Sequence, residues 1–177
     1  MEYSILDSIP DPSDYKSFTE RYFTKRYVLG INKVENNDIA LLFHSNRICL
    51  LTLAPSHNFF KKNGNFKVNF SAGKVNRLSN TVRGKGKKGG QTLSPNSVVC
   101  QVEFEDGTCF EVPAGMQGTL VEVNEELIKN PELLRQFPDS DGYIAVILSS
   151  IAKSEETKNE LMGEEDYAEV LKNACVE

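Results

Sequence analysis

The stretch EDGTCFEVPAGMQGTLVEVNEELIKNPELLRQFPDSDGYIAVIL, residues 105–148, decides the fold class because it joins several kinds of element in a fixed order. Asp106-Gly107 lies between two apolar runs and predicts a two-residue hairpin turn with positive φ at Gly107. GTLVEV then predicts a strand, residues 125–136 have helical spacing that ends before Pro138, and GYIAVIL predicts a buried strand.

The hairpin turn also predicts a register for the two strands that it joins. A two-residue turn places Cys109 opposite Phe104 and Cys100 opposite Pro113, so no disulfide crosses the hairpin. The chain has four cysteines without CxxC spacing, which is not typical of a secreted disulfide framework. We expect all of them to be reduced, small apolar residues: Cys49, Cys100, Cys109 and Cys175.

Apolar runs nearer the N-terminus predict further strands. Residues 39–43 and 48–53 flank the polar break HSNR and predict a second hairpin, and FKVNF at 66–70 alternates as a half-buried strand does. Several short strands at regular spacing favour a barrel or a sandwich. The predicted fold is therefore mainly β, a barrel-sandwich hybrid with helices towards both ends.

Helices are expected at the two ends of the chain. Asp11-Pro12-Ser13, followed by aromatic residues at spacings of three and four, predicts an amphipathic helix over 13–26. The segment SEETKNELMGEEDYAEVL predicts one or two acidic helices interrupted near Gly163. The predicted organisation is an N-terminal helical extension at 1–28, a β domain at 29–150 and an acidic helical segment at 151–177.

Charge is distributed unevenly along the chain. The net charge is −5, yet residues 39–102 contain ten Lys and Arg side chains and no Asp or Glu. Such asymmetry concerns partners rather than fold. No apolar run approaches the ~20 residues that span a bilayer, and the acidic N-terminus is unlike a signal peptide, so we expect an intracellular protein without a membrane partner.

The order of these motifs resembles the lipoyl and biotinyl carrier domains, in particular the H protein of the glycine cleavage system. The similar pieces are GKGKKGG, the hairpin, VPAGMQGTLVEVNEEL, NPELL, PDSDGYIAVI and the tail LMGEEDYAEVL, over about residues 66–171. In such carriers a lysine at the hairpin tip takes the lipoyl or biotinyl group. Here the tip is Asp106-Gly107, and the nearest lysines in the sequence, Lys88 and Lys129, belong to other elements. We therefore expect no covalent cofactor.

A second resemblance covers nearly the whole chain. RYFTKRY at 21–27, LFHSNRICLLTLAPSH at 42–57, LVEVNEELIKNPELL at 120–134 and GYIAVIL at 142–148 resemble the Abitram family, also called Simiate. The resemblance implies a non-enzymatic protein that binds actin and influences filament assembly and cell projections. It also implies a place in the cytoplasm and nucleus, including nuclear speckles, and a role related to transcription.

The basic span is the candidate partner-binding surface. A glycine-rich loop exposes lysine side chains and backbone N–H groups together, and an actin filament presents an acidic surface. The candidate residues are Lys74, Arg77, Arg83, Lys85, Lys87 and Lys88. The alternatives are a solvated loop and a nucleic-acid phosphate contact, although residues 71–92 contain no aromatic side chain for base stacking.

Two further constellations are weighed and set aside on the sequence. His44, Cys49 and His57 combine metal-ligand types, but a strand between the two histidines would hold them apart. We expect His44 in a turn and His57 as a capping or surface residue. Ser56, His57 and Asp139 contain the residue types of a hydrolytic triad without a nucleophile-elbow motif, so neither a catalytic nor a metal site is predicted.

Overall fold

Two antiparallel sheets organise the part of the chain that the computed structural model describes, residues 16–71 and 75–174. The strands in these ranges are β1 (Phe23–Val28), β2 (Ile39–His44), β3 (Ile48–Leu53), β4 (Phe66–Asn69), β5 (Thr92–Leu93), β6 (Val98–Phe104), β7 (Cys109–Pro113), β8 (Gly118–Val123) and β9 (Ala145–Leu148). The α-helices in them are α1 (Phe18–Tyr22), α2 (Glu126–Lys129), α3 (Leu133–Gln136), α4 (Ile151–Glu160) and α5 (Glu164–Ala174). One sheet has the order β1-β2-β3-β9-β8-β5 and the other β4-β6-β7.

The main core lies between the two sheets. The apolar residues that face inward from the strands join one buried cluster, which includes Leu41 and Leu51 from the larger sheet and Val102 and Val112 from the smaller. All four are fully buried. The predicted mainly-β fold is thus confirmed, as a sandwich whose two sheets each keep two end strands.

A smaller apolar cluster lies on the outer face of the larger sheet. Tyr27, Ala40, Leu42 and Ala54 pack there against Tyr167 of α5. The rings of Tyr27 and Tyr167 stack with centroids 3.7 Å apart. The second of the two C-terminal helices therefore covers part of the sheet, and α4 and α5 meet on either side of Gly163 as the sequence predicts.

The predicted N-terminal helix is wrong beyond Tyr22. Residues 13–15 lie outside the described ranges. Helix α1 spans only five residues and begins with a capping box between Ser17 and Glu20. From Phe23 the chain is β1, which pairs with β2 along its whole length. Six backbone pairings and the burial of Tyr27 outweigh a local spacing that fits a helix.

The hairpin of β6 and β7 forms as predicted, but its loop is one residue longer. Phe104 N donates to Thr108 O at 2.8 Å and Gly107 N donates to Phe104 O at 3.0 Å, so residues 105–107 form a three-residue loop. Gly107 has φ of 86°, which confirms the predicted positive φ.

The longer loop shifts the strand register, so the predicted cysteine pairings are wrong. Cys109 lies opposite Glu103 rather than Phe104, and Cys100 lies opposite Val112 rather than Pro113, beside a bulge between Val98 and Cys100. Cys49 and Cys100 are buried free thiols in the core, whereas Cys109 is exposed.

The segment that follows β8 forms two short helices instead of one. The chain leaves the helical conformation at Asn130, and Pro131 has no N–H to continue an unbroken helix. Leu127 and Leu134, one from each helix, are fully buried in the main core. Of the helices in the described ranges, none is long and apolar enough to cross a membrane.

Candidate functional site

The hairpin tip carries an ion pair at the place where a carrier domain holds its modified lysine. Lys62 Nζ lies 2.5 Å from Asp106 Oδ2 and 5.5 Å from the centroid of the Phe104 ring. The hydrogen bond from Lys62, and then those from Thr108, lower the pKa of Asp106 to about 2. The tip therefore carries an ion pair between Asp106 of the hairpin and Lys62 of a different segment.

Lys62 contacts the hairpin tip although it lies far from the tip in the sequence. Counted along the chain, Lys88 and Lys129 are the nearest to the tip, but the fold brings Lys62 there from the segment between β3 and β4. The amine is held as a cation against Asp106 rather than presented on the hairpin itself. The chemistry of a carrier, an amine free to form an amide at the tip, is thus not what this arrangement offers.

The glycine-rich part of the basic span forms a small hairpin of its own. Arg83 N donates to Lys88 O at 2.9 Å, and Lys88 N donates to Arg83 O at 3.0 Å. Residues 84–87 form the four-residue loop between Arg83 and Lys88, and its first and last residues, Gly84 and Lys87, have positive φ. We call residues 83–88 the basic hairpin.

The base of the basic hairpin is fixed to strand β8. Gln91 O accepts from Leu120 N at 2.8 Å, and the Asn80 amide bridges the two segments by accepting from Gln91 N and donating to Leu120 O. A Cβ at Gly90 would lie 2.8 Å from Leu120 O, so only glycine allows the backbones to approach this closely. The hairpin therefore projects from a rigid strand.

The cations of the basic hairpin are not neutralised within the described ranges. Arg83, Lys85 and Lys88 are exposed and Lys87 is half-buried, and no described carboxylate lies within salt-bridge distance of any of them. Other lysines of the basic span are paired, as Lys67 is with Glu103 at 2.8 Å. The backbone N–H groups at 83, 87 and 88 donate within the hairpin and are not open to an anion.

Two of the predicted site residues do not belong to this exposed set. Arg77 is 8% exposed, and its guanidinium donates to Val98 O at 2.9 Å and to Gln91 Oε1 at 2.8 Å. Burial lowers the pKa of this guanidinium. Arg77 thus ties the span to β6 and does not lie among the exposed cations. Lys74 lies outside the described residues.

His57 is a buried capping residue. Phe59 N donates to Nδ1 at 3.0 Å at the start of a short 3-10 turn, and Nε2 lies 2.9 Å from Asn37 Oδ1. The capping role is confirmed, but the surface alternative is wrong because the side chain is fully buried. His44 accepts from Asn46 N in the predicted turn. Within the described ranges no three His, Cys, Asp or Glu residues form a metal-binding group.

Ser56, His57 and Asp139 belong to three separate contacts. Ser56 Oγ donates to Asp38 Oδ2 at 2.5 Å and accepts from the Tyr167 hydroxyl at 2.8 Å. Asp139 forms a salt bridge with Lys25, and the His57 ring faces Asn37. Because the His57 ring contacts neither Ser56 Oγ nor Asp139, this geometry does not assemble a Ser-His-Asp triad.

Comparison with known proteins identifies first the class and then the family. The profile of the Glycine cleavage H-protein family matches residues 51–174. The glycine cleavage system H protein of Mycobacterium marinum superimposes with a TM-score of 0.51 at 15% identity, covering 76% of this chain and 91% of that one. Fold and tip together define a domain of the H-protein class whose hairpin tip holds an aspartate–lysine pair.

The particular family follows from closer relatives. Protein Abitram of Drosophila melanogaster is 39% identical over 96% of this chain and 76% of its own length. Protein Abitram of Danio rerio is 38% identical over 88% and 89%, and that of Homo sapiens is 34% identical over 88% and 87%. The chain belongs to the Abitram family.

Proposed function

We propose that this protein is a non-enzymatic actin-binding protein that regulates actin polymerisation and cell-projection dynamics, with the basic hairpin as its contact surface. The proposal places it in the cytoplasm, including cell projections, and in the nucleus, with a role related to transcription at nuclear speckles. The observation that carries it is the basic hairpin, a group of cations without a salt-bridge partner among the described residues, on a protein of net charge −5.

Charge and geometry favour binding through an exposed surface over catalysis in a buried site. The cations lie on exposed side chains of a short hairpin, where they add favourable long-range attraction to an acidic partner without being desolvated in the free protein. The hairpin's anchor on β8 limits the conformational entropy lost on binding. A carrier function has less support because the tip amine is ion-paired with Asp106.

Cosedimentation with actin filaments tests this proposal. Changing Lys85, Lys87 and Lys88 together to Glu should weaken binding by about tenfold or more, because each reversal replaces attraction with repulsion. Raising the salt concentration should weaken wild-type binding as well, since exposed charges are screened over ~10 Å at 0.1 M. Binding of the triple variant at wild-type strength would refute the basic hairpin as the contact.

A matched variant separates position from net charge. Lys16, Lys61 and Lys172 are exposed and form no salt bridge with another described residue, so their joint change to Glu alters the net charge equally. This control should retain most actin binding. If it loses as much as the hairpin variant, the effect is one of total charge.

Nucleic acid is the competing partner, and salt titration distinguishes it. Binding to RNA or DNA should fall linearly on a log–log salt plot with a slope of about −0.7 to −0.9 per neutralised phosphate. Steep RNA binding with no protein in the actin pellet would overturn the actin proposal in favour of a phosphate-binding nuclear adaptor.

A further inference from the structure

An apolar groove lies beside α1 on the outer face of the larger sheet, away from the part covered by Tyr167. Its volume is about 470 Å³, and its lining includes Phe18, Leu50, Glu122, Asp141, Tyr143 and Val146. We call it the α1 groove. It belongs neither to the hairpin tip nor to the basic hairpin.

The floor of the α1 groove is formed by two neighbouring strands. Leu50 of β3 and Val146 of β9 lie opposite each other in the sheet register. Their sequence neighbours Cys49, Leu51 and Ala145 are in the main core, so Leu50 and Val146 point to the other face. This places adjacent aliphatic side chains beneath the opening.

The wall of the α1 groove is aromatic and largely uncovered. Phe18 is 61% exposed, although its ring centroid lies 5.0 Å from that of Tyr22 and 6.0 Å from that of Phe23. Tyr22 is itself 52% exposed. An aromatic ring held by its neighbours and open to water on one side offers apolar area with little entropy to lose on binding.

The rim of the α1 groove is acidic. The carboxylates of Glu122 and Asp141 are exposed, and neither forms a salt bridge with a cation in the described ranges. The Tyr143 hydroxyl donates to Glu122 Oε1 at 3.0 Å and so orients that carboxylate. The Asn124 amide donates to Asp141 O at 2.8 Å and fixes the backbone there. No Lys or Arg lines the groove.

We propose that the α1 groove binds a short segment of another protein in which a large apolar side chain lies next to basic side chains. The apolar side chain rests on Leu50 and Val146 beside Phe18, and the cations pair with Glu122 and Asp141. Charge complementarity selects this occupant, because the rim repels acidic segments and the floor gains nothing from purely polar ones.

Segments of this chain fit the groove less well. Residues 1–15 contain four acidic and no basic side chains, so the rim would repel them. The basic hairpin of a second copy has the right charge, but residues 84–90 contain no apolar side chain to rest on the floor. The chemistry of the groove therefore points to a different protein.

Fluorescence anisotropy with a designed probe tests this proposal. The probe is an end-capped, fluorescein-labelled peptide of alternating leucine and arginine, and its counterpart has glutamate in place of arginine. The full-length protein should bind the basic peptide and leave the acidic one free. Glu122→Lys, Asp141→Lys and Phe18→Ala should each weaken binding by about tenfold.

Matched controls separate the groove from the rest of the surface. Glu160→Lys makes the same charge change at an exposed position outside the groove, and Ile151→Ala removes a side chain that is 67% exposed there. Both should bind the basic peptide as the wild type does. Thermal unfolding of each variant shows whether it is folded, and the two rim variants keep the test valid if Phe18→Ala is not.

Three results would overturn the proposal. The first is equal binding of the acidic and basic peptides. The second is a rim variant that binds no more weakly than Glu160→Lys. The third is a mass in sedimentation velocity that rises with protein concentration and returns to the monomer value in Glu122→Lys, because the groove would then hold a second copy.

Discussion

The His57 imidazole is held in one tautomer by its two neighbours. Phe59 N–H donates to Nδ1, so the ring proton is on Nε2 and donates to Asn37 Oδ1. A second proton on Nδ1 would face the Phe59 N–H in a fully buried place. Burial, only partly offset by the charge of Asp38, lowers the pKa of His57 to about 4.

This pKa predicts a loss of stability in mild acid. The unfolded chain binds a proton at His57 near its ordinary pKa of 6.5, whereas the folded protein binds it only near 4. The free energy of unfolding should therefore fall as the pH drops from about 6.5 to about 4, by up to about 3 kcal/mol at 1.36 kcal/mol per pKa unit. Urea denaturation at several pH values measures it.

Two histidine variants identify the source of the acid effect. His57→Gln should show a flatter dependence of stability on pH over this window, whatever its stability at pH 7. His44→Gln, which replaces a histidine that is not buried, is the matched control. Equal slopes in His57→Gln and the wild type would assign the acid effect to other groups.

Gly107 is required by its backbone conformation rather than by lack of space. Its φ is 86°, and a Cβ placed there would meet no atom within 4 Å. Gly107→Val should lower the free energy of unfolding by about 1–2 kcal/mol, because a side chain disfavours this left-handed region. Gly86→Val is the control, since Gly86 has equal space without a positive φ. Thermal unfolding that is unchanged in Gly107→Val would contradict the explanation.

Among the elements, α5 is attached to the larger sheet chiefly through the side chain of Tyr167. Tyr167 stacks on Tyr27, its hydroxyl donates to Ser56 Oγ, and the same hydroxyl accepts from Ser56 N at 3.0 Å. Tyr167 is 3% exposed, whereas Val170 one turn later is 39% exposed. In the described part of the helix Tyr167 is thus the buried attachment, and the half-buried Leu171 packs against the same cluster.

Removing that side chain should release the helix from the sheet. Tyr167→Ala should speed amide hydrogen exchange in α5 and at Tyr27 far more than in β6 and β7, with a loss of about 3–5 kcal/mol in local stability. Tyr167→Phe keeps the stacking and should cost only about 1 kcal/mol. Val170→Ala is the control on the same helix. Uniform exchange changes across both sheets would show instead that α5 unfolds only with the whole domain.

For the whole molecule, sequence predicted the features that depend on neighbouring residues. The hairpins of β2–β3 and β6–β7 follow from apolar runs on either side of a turn, whereas the glycines of residues 84–90 predicted a loop and not a hairpin. What it missed depends on distant partners. β1 is a strand because β2 lies beside it, and Arg77 is buried because Val98 offers a carbonyl 21 residues away.

The basic hairpin and the α1 groove also differ in how far the sequence predicts them. The cations of the basic hairpin lie close together in the sequence, so the sequence predicted the group. It did not predict which of these side chains are exposed. The α1 groove joins residues of α1, β3, β8 and β9, which no single stretch of sequence contains. Only the assembled sheet brings its floor, wall and rim together.

The hydrogen bond between Tyr27 and Met162 covers part of an edge of the larger sheet. β1 pairs with β2 on one side, and on its other side Tyr27 N donates to Met162 O at 3.0 Å. The connection between α4 and α5 thus shields a sheet edge whose free N–H and C=O groups could otherwise recruit a strand from another molecule. A proteolytic cut before residue 161 should therefore expose this edge of β1 and make the remaining fragment prone to strand-mediated aggregation.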